Sequence, residues 1–314
     1  MNQAAIFPGQ GSQYIGMNRD LVEQFRMTKP IYEEASDALN VDLLKLCLDG
    51  PEDQLQLTFN AQPAILTTAF AWFTILQSEK GFSPTHAAGH SLGEYSALRA
   101  SGAMTRTEAV KLVRRRVELM QNAVPVGKGK MAALLGLDDN LTRELCAAAS
   151  RGEHSIVVPA NYNSPGQIVI AGNAEAVDRA ALLANDKTSK FKARRFIPLK
   201  VSAPFHCPLM VPVAEQFLNS LQSVKWNASK FPVIANVDAQ AHNQGEIVDR
   251  LQRQIFSPVL WTQCVSTLSA QGCRSFVEPG PGKVLSGLVK RCLENATAVS
   301  IDTFDDFGKF GGQT

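Results

Sequence analysis

Along most of the chain, short apolar runs closed by glycine or proline alternate with stretches whose apolar positions recur at helical spacing. Residues 4–7 read as a strand ended by Pro8, followed by the turn Gly9-Gln10-Gly11-Ser12-Gln13. Helical patterns cover 30–38 and 41–48 and stop at Gly50-Pro51. The strongest predicted helix is 61–80, densely apolar, with Pro63 in its first turn and Gly81 beyond its end. Ala87-Ala88 closes a short strand, Gly89-His90-Ser91-Leu92-Gly93 is a tight turn, and helices follow over 94–100 and 107–123.

The texture changes near 127–129. Strands are expected at 131–135, 156–161, 167–171 and 195–201, with helices at 140–150 and 174–184. The resulting β-α-β-β-α-β order is the ferredoxin-like signature. Beyond it the α/β pattern resumes, with helices at 211–221, 246–255, 262–270 and 283–293 and strands at 233–236 and 275–278. This order predicts an α/β core with a parallel sheet, formed by 1–128 and 202–304, with 129–201 as an inserted subdomain and 305–314 as a flexible tail.

Composition narrows the function classes. The 314 residues are 45% hydrophobic and 19% charged, which excludes a disordered chain. A net charge of +2 gives no case for nucleic-acid binding. No apolar run approaches the roughly 20 residues of a membrane span, and the start lacks a secretory pattern, so a cytoplasmic protein is expected. The cysteines form no Cys-x-x-Cys pair and read as reduced thiols; Cys207 alone stands beside a candidate catalytic residue.

The chemistry concentrates at Gly89-His90-Ser91-Leu92-Gly93, a G-x-S-x-G turn between a strand and a helix. Such a turn exposes a serine hydroxyl and leaves the next N–H free for an oxyanion; the bland alternative is an ordinary turn with Ser91 as N-cap. A serine nucleophile needs a base. His90 should point away from Ser91, His86 shares its strand, and His154 lies in the inserted segment. Because the histidine comes late in folds with this elbow, His206 and His242 are left. His206 sits in Pro204-Phe205-His206-Cys207-Pro208, a loop stiffened by two prolines, whereas His242 lies in a polar stretch and reads as solvated. Gly9–Gln13 and Gly280-Pro281-Gly282-Lys283 both fail the nucleotide-loop patterns. One residue of Arg114-Arg115-Arg116 could face inward, where a buried guanidinium demands a carboxylate partner.

Phe7-Pro8-Gly9-Gln10-Gly11-Ser12-Gln13, Gly89-His90-Ser91-Leu92-Gly93-Glu94-Tyr95-Ser96-Ala97-Leu98, Asn163-Ser164-Pro165-Gly166-Gln167 and Gly280-Pro281-Gly282-Lys283-Val284-Leu285 together resemble the malonyl-CoA:acyl-carrier-protein transacylases, over about 4–301. The resemblance implies a hydrolase-like α/β core plus a ferredoxin-like subdomain. It implies Ser91 as nucleophile, His206 as base, and the N–H groups of Gln10 and Leu92 as oxyanion hole. Arg116, ahead of Met120-Gln121, matches the family's carboxylate-binding arginine; Gln254 matches the residue whose main-chain carbonyl orients the histidine. Phe205 matches a position where a Phe accompanies malonyl rather than methylmalonyl use. The implied partners are malonyl-CoA and an acyl carrier protein, with no metal or redox cofactor, acting as a monomer. The basic segment Lys187, Lys190, Lys192, Arg194 and Arg195 is either a solvated loop or an edge that steers an acidic carrier. A trans-acting polyketide acyltransferase would share these motifs, an acyl hydrolase would lack the arginine, and a non-catalytic module would not need Ser91 and His206.

Overall fold

The computed structural model describes residues 2–125, 127–199, 201 and 203–311. The strands are β1 (Asn2–Phe7), β2 (His86–Gly89), β3 (Gly129–Leu135), β4 (Val157–Ser164), β5 (Gln167–Asn173), β6 (Arg195–Pro198), β7 (Val233–Ile234), β8 (Cys273–Pro279) and β9 (Thr297–Ile301). They divide into two sheets: a parallel one in the order β7-β2-β1-β8-β9, and an antiparallel one in the order β4-β5-β3-β6.

The parallel sheet is covered on both faces, so its middle strand β1 is apolar and buried from Ala4 to Phe7. Strand alternation sends Ala5 and Phe7 of β1 into one core cluster, and Ala4 and Ile6 into the other. The Thr58–Lys80 helix packs against the first face and is buried nearly all round, with Phe73 5.6 Å from Phe7 between ring centroids. It begins three residues earlier than its apolar pattern predicts, which moves Pro63 past the first turn. Proline cannot donate to the carbonyl four residues back. That carbonyl, of Phe59, accepts instead from Arg114 Nη1 at 2.9 Å.

The antiparallel sheet has the strand order of a ferredoxin-like unit, with the helices Asp139–Ala149 and Ala174–Asn185 packed on it through Leu145, Ala176 and Val177. Its β4 is stitched to the rest of the chain by Tyr162 N–H donating to Val259 O at 2.9 Å. Strand β6 ends at Pro198, short of the expected 201. The main chain of Leu199 still donates to Met131 O at 2.9 Å, and Leu199 lies at the wall of the cavity described below.

Strand β9 and the helices Arg19–Gln24, Glu52–Gln56 and Phe304–Lys309 were not expected. Strand β9 pairs with β8, and its two buried residues, Ala298 and Ile301, are three apart and so face opposite sides of the sheet. The segment expected to be a flexible tail from 305 contains the helix Phe304–Lys309, capped by Thr303 and Asp306 in a reciprocal capping box. Phe307 of that helix is buried 5.1 Å from Phe25 between ring centroids, which anchors it. Residues 312–314 of the expected tail lie outside the described residues. No helix among the described residues is long and apolar enough to cross a membrane.

Candidate active site

The G-x-S-x-G turn joins the end of β2 to the helix Leu92–Ala100, and Ser91 sits in it with φ 53° and ψ −101°. A non-glycine residue there costs on the order of 1–3 kcal/mol and persists only where its surroundings hold it. Ser91 N–H donates to Asn236 Oδ1 at 2.7 Å, and Ser91 C=O accepts from Gln254 Nε2 at 3.0 Å. The glycines allow the close approach. A Cβ on Gly89 would stand 1.9 Å from the Gly93 carbonyl carbon, and one on Gly93 would stand 2.0 Å from Phe7 O. Backbone blocks both positions, so relief requires β1, β2 and the helix to separate. Gly93→Ala is therefore expected to cost more than the usual overpacking of about 1–3 kcal/mol. A chemical-denaturation midpoint equal to that of the parent would contradict this packing.

Ser91 Oγ lies 2.7 Å from His206 Nε2. His206 Nδ1 donates to the main-chain carbonyl of Gln254 at 2.8 Å, leaving the Nε2 lone pair toward the serine. His206 itself has φ 59°, held between the two prolines of its loop. Burial, then the nearby Arg116 charge, push its pKa down to about 3, so the ring is neutral at physiological pH and its Nε2 lone pair can accept a proton. Cys207 is buried, donates to Pro204 O at 3.0 Å, and has its thiol pushed up to about 12 by burial; it is a structural residue rather than a nucleophile.

Arg116 is the inward-facing residue of the three arginines and is fully buried, while Arg114 and Arg115 flank Glu118 on the outer side. The carboxylate partner that burial demands is not supplied, because Arg116 makes no ion pair among the described residues. Its contacts are to neutral oxygens: Gln62 Oε1 at 3.0 Å, Gln254 Oε1 at 3.0 Å and Ser91 Oγ at 2.9 Å. A guanidinium has five N–H donors, so capacity is left for an anion from outside. The Tyr95 ring lies 5.3 Å from the guanidinium carbon and supports it from below.

These groups line a cavity of about 370 Å³. Gln10, Ser91, Arg116, Phe205 and His206 form one side, and Met131 and Asn161 of the antiparallel sheet form the other. A larger hollow, about 730 Å³, lies by β9 and carries serines and lysines but no histidine to activate a hydroxyl, so chemistry rather than size picks out the site. Leu92 is the first residue of its helix, where an N–H has no intrahelical acceptor, and Gln10 follows β1 at the cavity wall. The Gln10 side chain is held by Thr58 at 3.1 Å and Gln62 at 3.0 Å.

Of the remaining histidines, His90 meets Asn163 Oδ1 at 2.8 Å rather than Ser91, and His154 is exposed. His242, expected to be solvated, is buried and donates Nε2–H to Glu94 Oε1 at 2.7 Å. Its backbone N–H donates to Val233 O at 2.8 Å, which turns its side chain inward although its neighbours Asn243 and Gln244 are exposed. The basic segment reaches β6 at Arg195, which pairs with Leu135, about 13 Å along β3 from the cavity residue Met131. Sequence reading missed Gln62, Asn236, Glu94 and the Gln254 side chain. The available signals were weak: single polar residues within otherwise buried helices at Gln62 and Glu94.

The chain matches the acyl transferase domain family over residues 5–304. It is 43% identical over 300 residues to a malonyl CoA-acyl carrier protein transacylase of Escherichia coli, covering 95% of each protein. It is also 43% identical over 299 residues to the Bacillus subtilis protein of the same name, covering 95% of this chain and 92% of that one. A crystal structure of an acyl carrier protein S-malonyltransferase from Vibrio cholerae superimposes with a TM-score of 0.94 at 45% identity, covering 98% and 99% of the two chains. A malonyl-transacylase in complex with its type II PKS acyl-carrier protein superimposes with a TM-score of 0.93 at 40% identity, covering 98% and 97%. With the match spanning nearly its whole length, the chain belongs to the acyl transferase domain family.

Proposed function

We propose that this protein transfers the malonyl group of malonyl-CoA to the phosphopantetheine thiol of an acyl carrier protein, in the cytoplasm and as a monomer, for fatty-acid synthesis. The observation that carries the substrate is Arg116: a buried guanidinium bound only to neutral oxygens and 2.9 Å from Ser91 Oγ. A site built this way favours an acyl group ending in a carboxylate, which takes an Nη1–H and, by displacing the Ser91 Oγ contact, an Nη2–H as two parallel hydrogen bonds. Phe205 narrows the wall beside His206, which suits an unbranched acyl chain.

In the first half-reaction His206 Nε2 takes the proton of Ser91 as Oγ attacks the thioester carbonyl. The N–H groups of Gln10 and Leu92 stabilise the oxyanion, each such donor being worth about 10²–10³ in rate. Coenzyme A departs as its thiol, with the proton returned by His206, and Ser91 carries a malonyl ester. In the second half-reaction the carrier's thiol gives its proton to His206, attacks the ester and regenerates Ser91. The Gln254 carbonyl replaces an acidic third member of the triad by holding the imidazole Nδ1–H. Nucleophile, base and oxyanion donors all come from one chain, so the steps require no cofactor. In this reading 129–201 form a subdomain that walls the cavity against the core of 1–128 and 202–304.

Intact-protein mass spectrometry after brief exposure to malonyl-CoA, then to a carrier protein, tests the reading. The expected result is a malonyl adduct on Ser91 that disappears as the carrier gains the same mass. An adduct that water removes faster than any carrier would mark a hydrolase instead. The similarity to a polyketide malonyl-transacylase favours a second role in polyketide assembly, distinguished by which carrier protein is loaded faster.

A further inference from the structure

Behind the serine–histidine pair lies a charged residue that the steps above leave unused. Glu94, three residues after the nucleophile in the first turn of the Leu92–Ala100 helix, is fully buried. A carboxylate so placed must be met by donors, and three meet it. Oε1 accepts from His242 Nε2 at 2.7 Å; Oε2 accepts from Asn236 N–H at 3.0 Å and from Gln254 Nε2 at 2.8 Å. Two of these donors lead straight back to the site. Asn236 holds Ser91 N–H with its carboxamide oxygen and donates to Gly89 O at 2.7 Å, so it braces both ends of the strained turn. Gln254 binds the Ser91 carbonyl with the same Nε2, gives Oε1 to Arg116 and gives its main-chain carbonyl to His206. The Gln254 carboxamide thus stands between a guanidinium and a carboxylate, oxygen toward the cation and N–H toward the anion.

We infer that Glu94 is a positioning residue and the resident counter-charge of Arg116, held one carboxamide away so that the guanidinium keeps N–H groups free for the carboxylate of the substrate. This rests on the reading of Arg116 given above. A carboxylate in direct contact would occupy the fork and compete with every incoming acid. Across one carboxamide the attraction persists in the low-dielectric interior, and the hydrogen bonds between polarise one another. Burial pushes the pKa of Arg116 down, and the fields of Tyr95 and Glu94 act against that. Glu94 touches neither substrate nor reacting atoms; it acts through Asn236 and Gln254.

Three variants test this by the rate of Ser91 acylation from malonyl-CoA and from acetyl-CoA, read by mass spectrometry. Glu94→Gln removes the charge and opposes an amide NH2 to at least one of the three N–H donors, and is expected to slow both acylations about 10²-fold, the cost of displacing a nucleophile by about an ångström. Glu94→Asp keeps the charge and is expected to retain more activity than Glu94→Gln, although its side chain is shorter. The double exchange Glu94→Gln with Gln254→Glu restores a carboxylate facing an amide, keeps the main-chain carbonyl for His206, and sets the carboxylate on Arg116. It is expected to lower the malonyl-over-acetyl ratio at least about tenfold, with both rates below those of the parent because the Ser91 carbonyl loses its Gln254 Nε2 donor. If Glu94→Gln loses its fold, the exchange still decides, because its buried charges balance. Parental acylation rates in Glu94→Gln, or a parental ratio in the exchange, would overturn the inference. If the parent itself shows no malonyl preference, the reading of Arg116 fails and takes the counter-charge role with it; the order of the Gln and Asp variants then decides the positioning role alone.

Discussion

Replacing His206 with alanine is expected to slow malonylation of Ser91 by about 10⁴-fold, the upper range for loss of a positioned general base. The ring is 2.7 Å from Oγ, and among the described residues the other two histidines near the site are engaged elsewhere, His90 by Asn163 and His242 by Glu94. The pH dependence follows from the same geometry. A base must be unprotonated to work, and burial with the Arg116 charge holds His206 near 3, below the ordinary histidine value. The acylation rate of the free enzyme should therefore stay level from about pH 8 down to about pH 5, where an ordinary histidine would already have lost its function. Single-turnover acylation measured across that range checks this. A decline centred near pH 6.5 would mean that the imidazole is solvated or that another histidine is the base.

The parallel core and the inserted β-α-β-β-α-β unit are legible in the sequence because each strand carries a dense apolar run and each helix a clear stop. Strand β9 is not, because the two buried residues of this edge strand lie on opposite faces and give no alternation to stand out. The helix at Phe304–Lys309 is hidden for a related reason: its Gly-rich surroundings read as a tail, and its anchor is one phenylalanine meeting a ring almost 300 residues away in sequence. At the site, Ser91 and His206 announce themselves by a turn motif and a proline-stiffened loop. The Ser91 turn is held from outside it, by Asn236 and Gln254, whose side chains carry no local pattern. Glu94 is the instructive case. Its position early in a helix suits a solvated, dipole-favoured acid, and only the long-range arrival of His242, Asn236 and Gln254 makes it a buried one.

Arg116→Ala is expected to collapse the preference for malonyl over acetyl by about 10³–10⁴-fold, because a site built to bind a polar group rejects an analogue lacking it by that order. In the parent, acetyl-CoA leaves the buried guanidinium with only its neutral partners, whereas malonyl supplies the missing anion. In the variant neither substrate meets a cation, and the carboxylate of malonyl faces the carboxamide oxygens of Gln62 and Gln254 that the guanidinium formerly joined. Acetyl transfer should fall far less than malonyl transfer. Arg116→Lys should lie between the two, since an ammonium keeps the charge but not the two parallel donors. The ratio of acylation rates is the useful readout, because loss of fold or a displaced Ser91 lowers both rates alike. A second consequence has a definite sign. The Arg116 charge lowers the pKa of His206, so its removal raises that pKa, and the acid limb of acylation should move to higher pH in Arg116→Ala. Malonyl binding at Arg116 is expected to do the same in the parent by neutralising the guanidinium, which would make the histidine more basic as the serine proton moves. An unchanged malonyl-over-acetyl ratio in Arg116→Ala would remove the arginine from substrate recognition. An unmoved acid limb would remove its influence on the base.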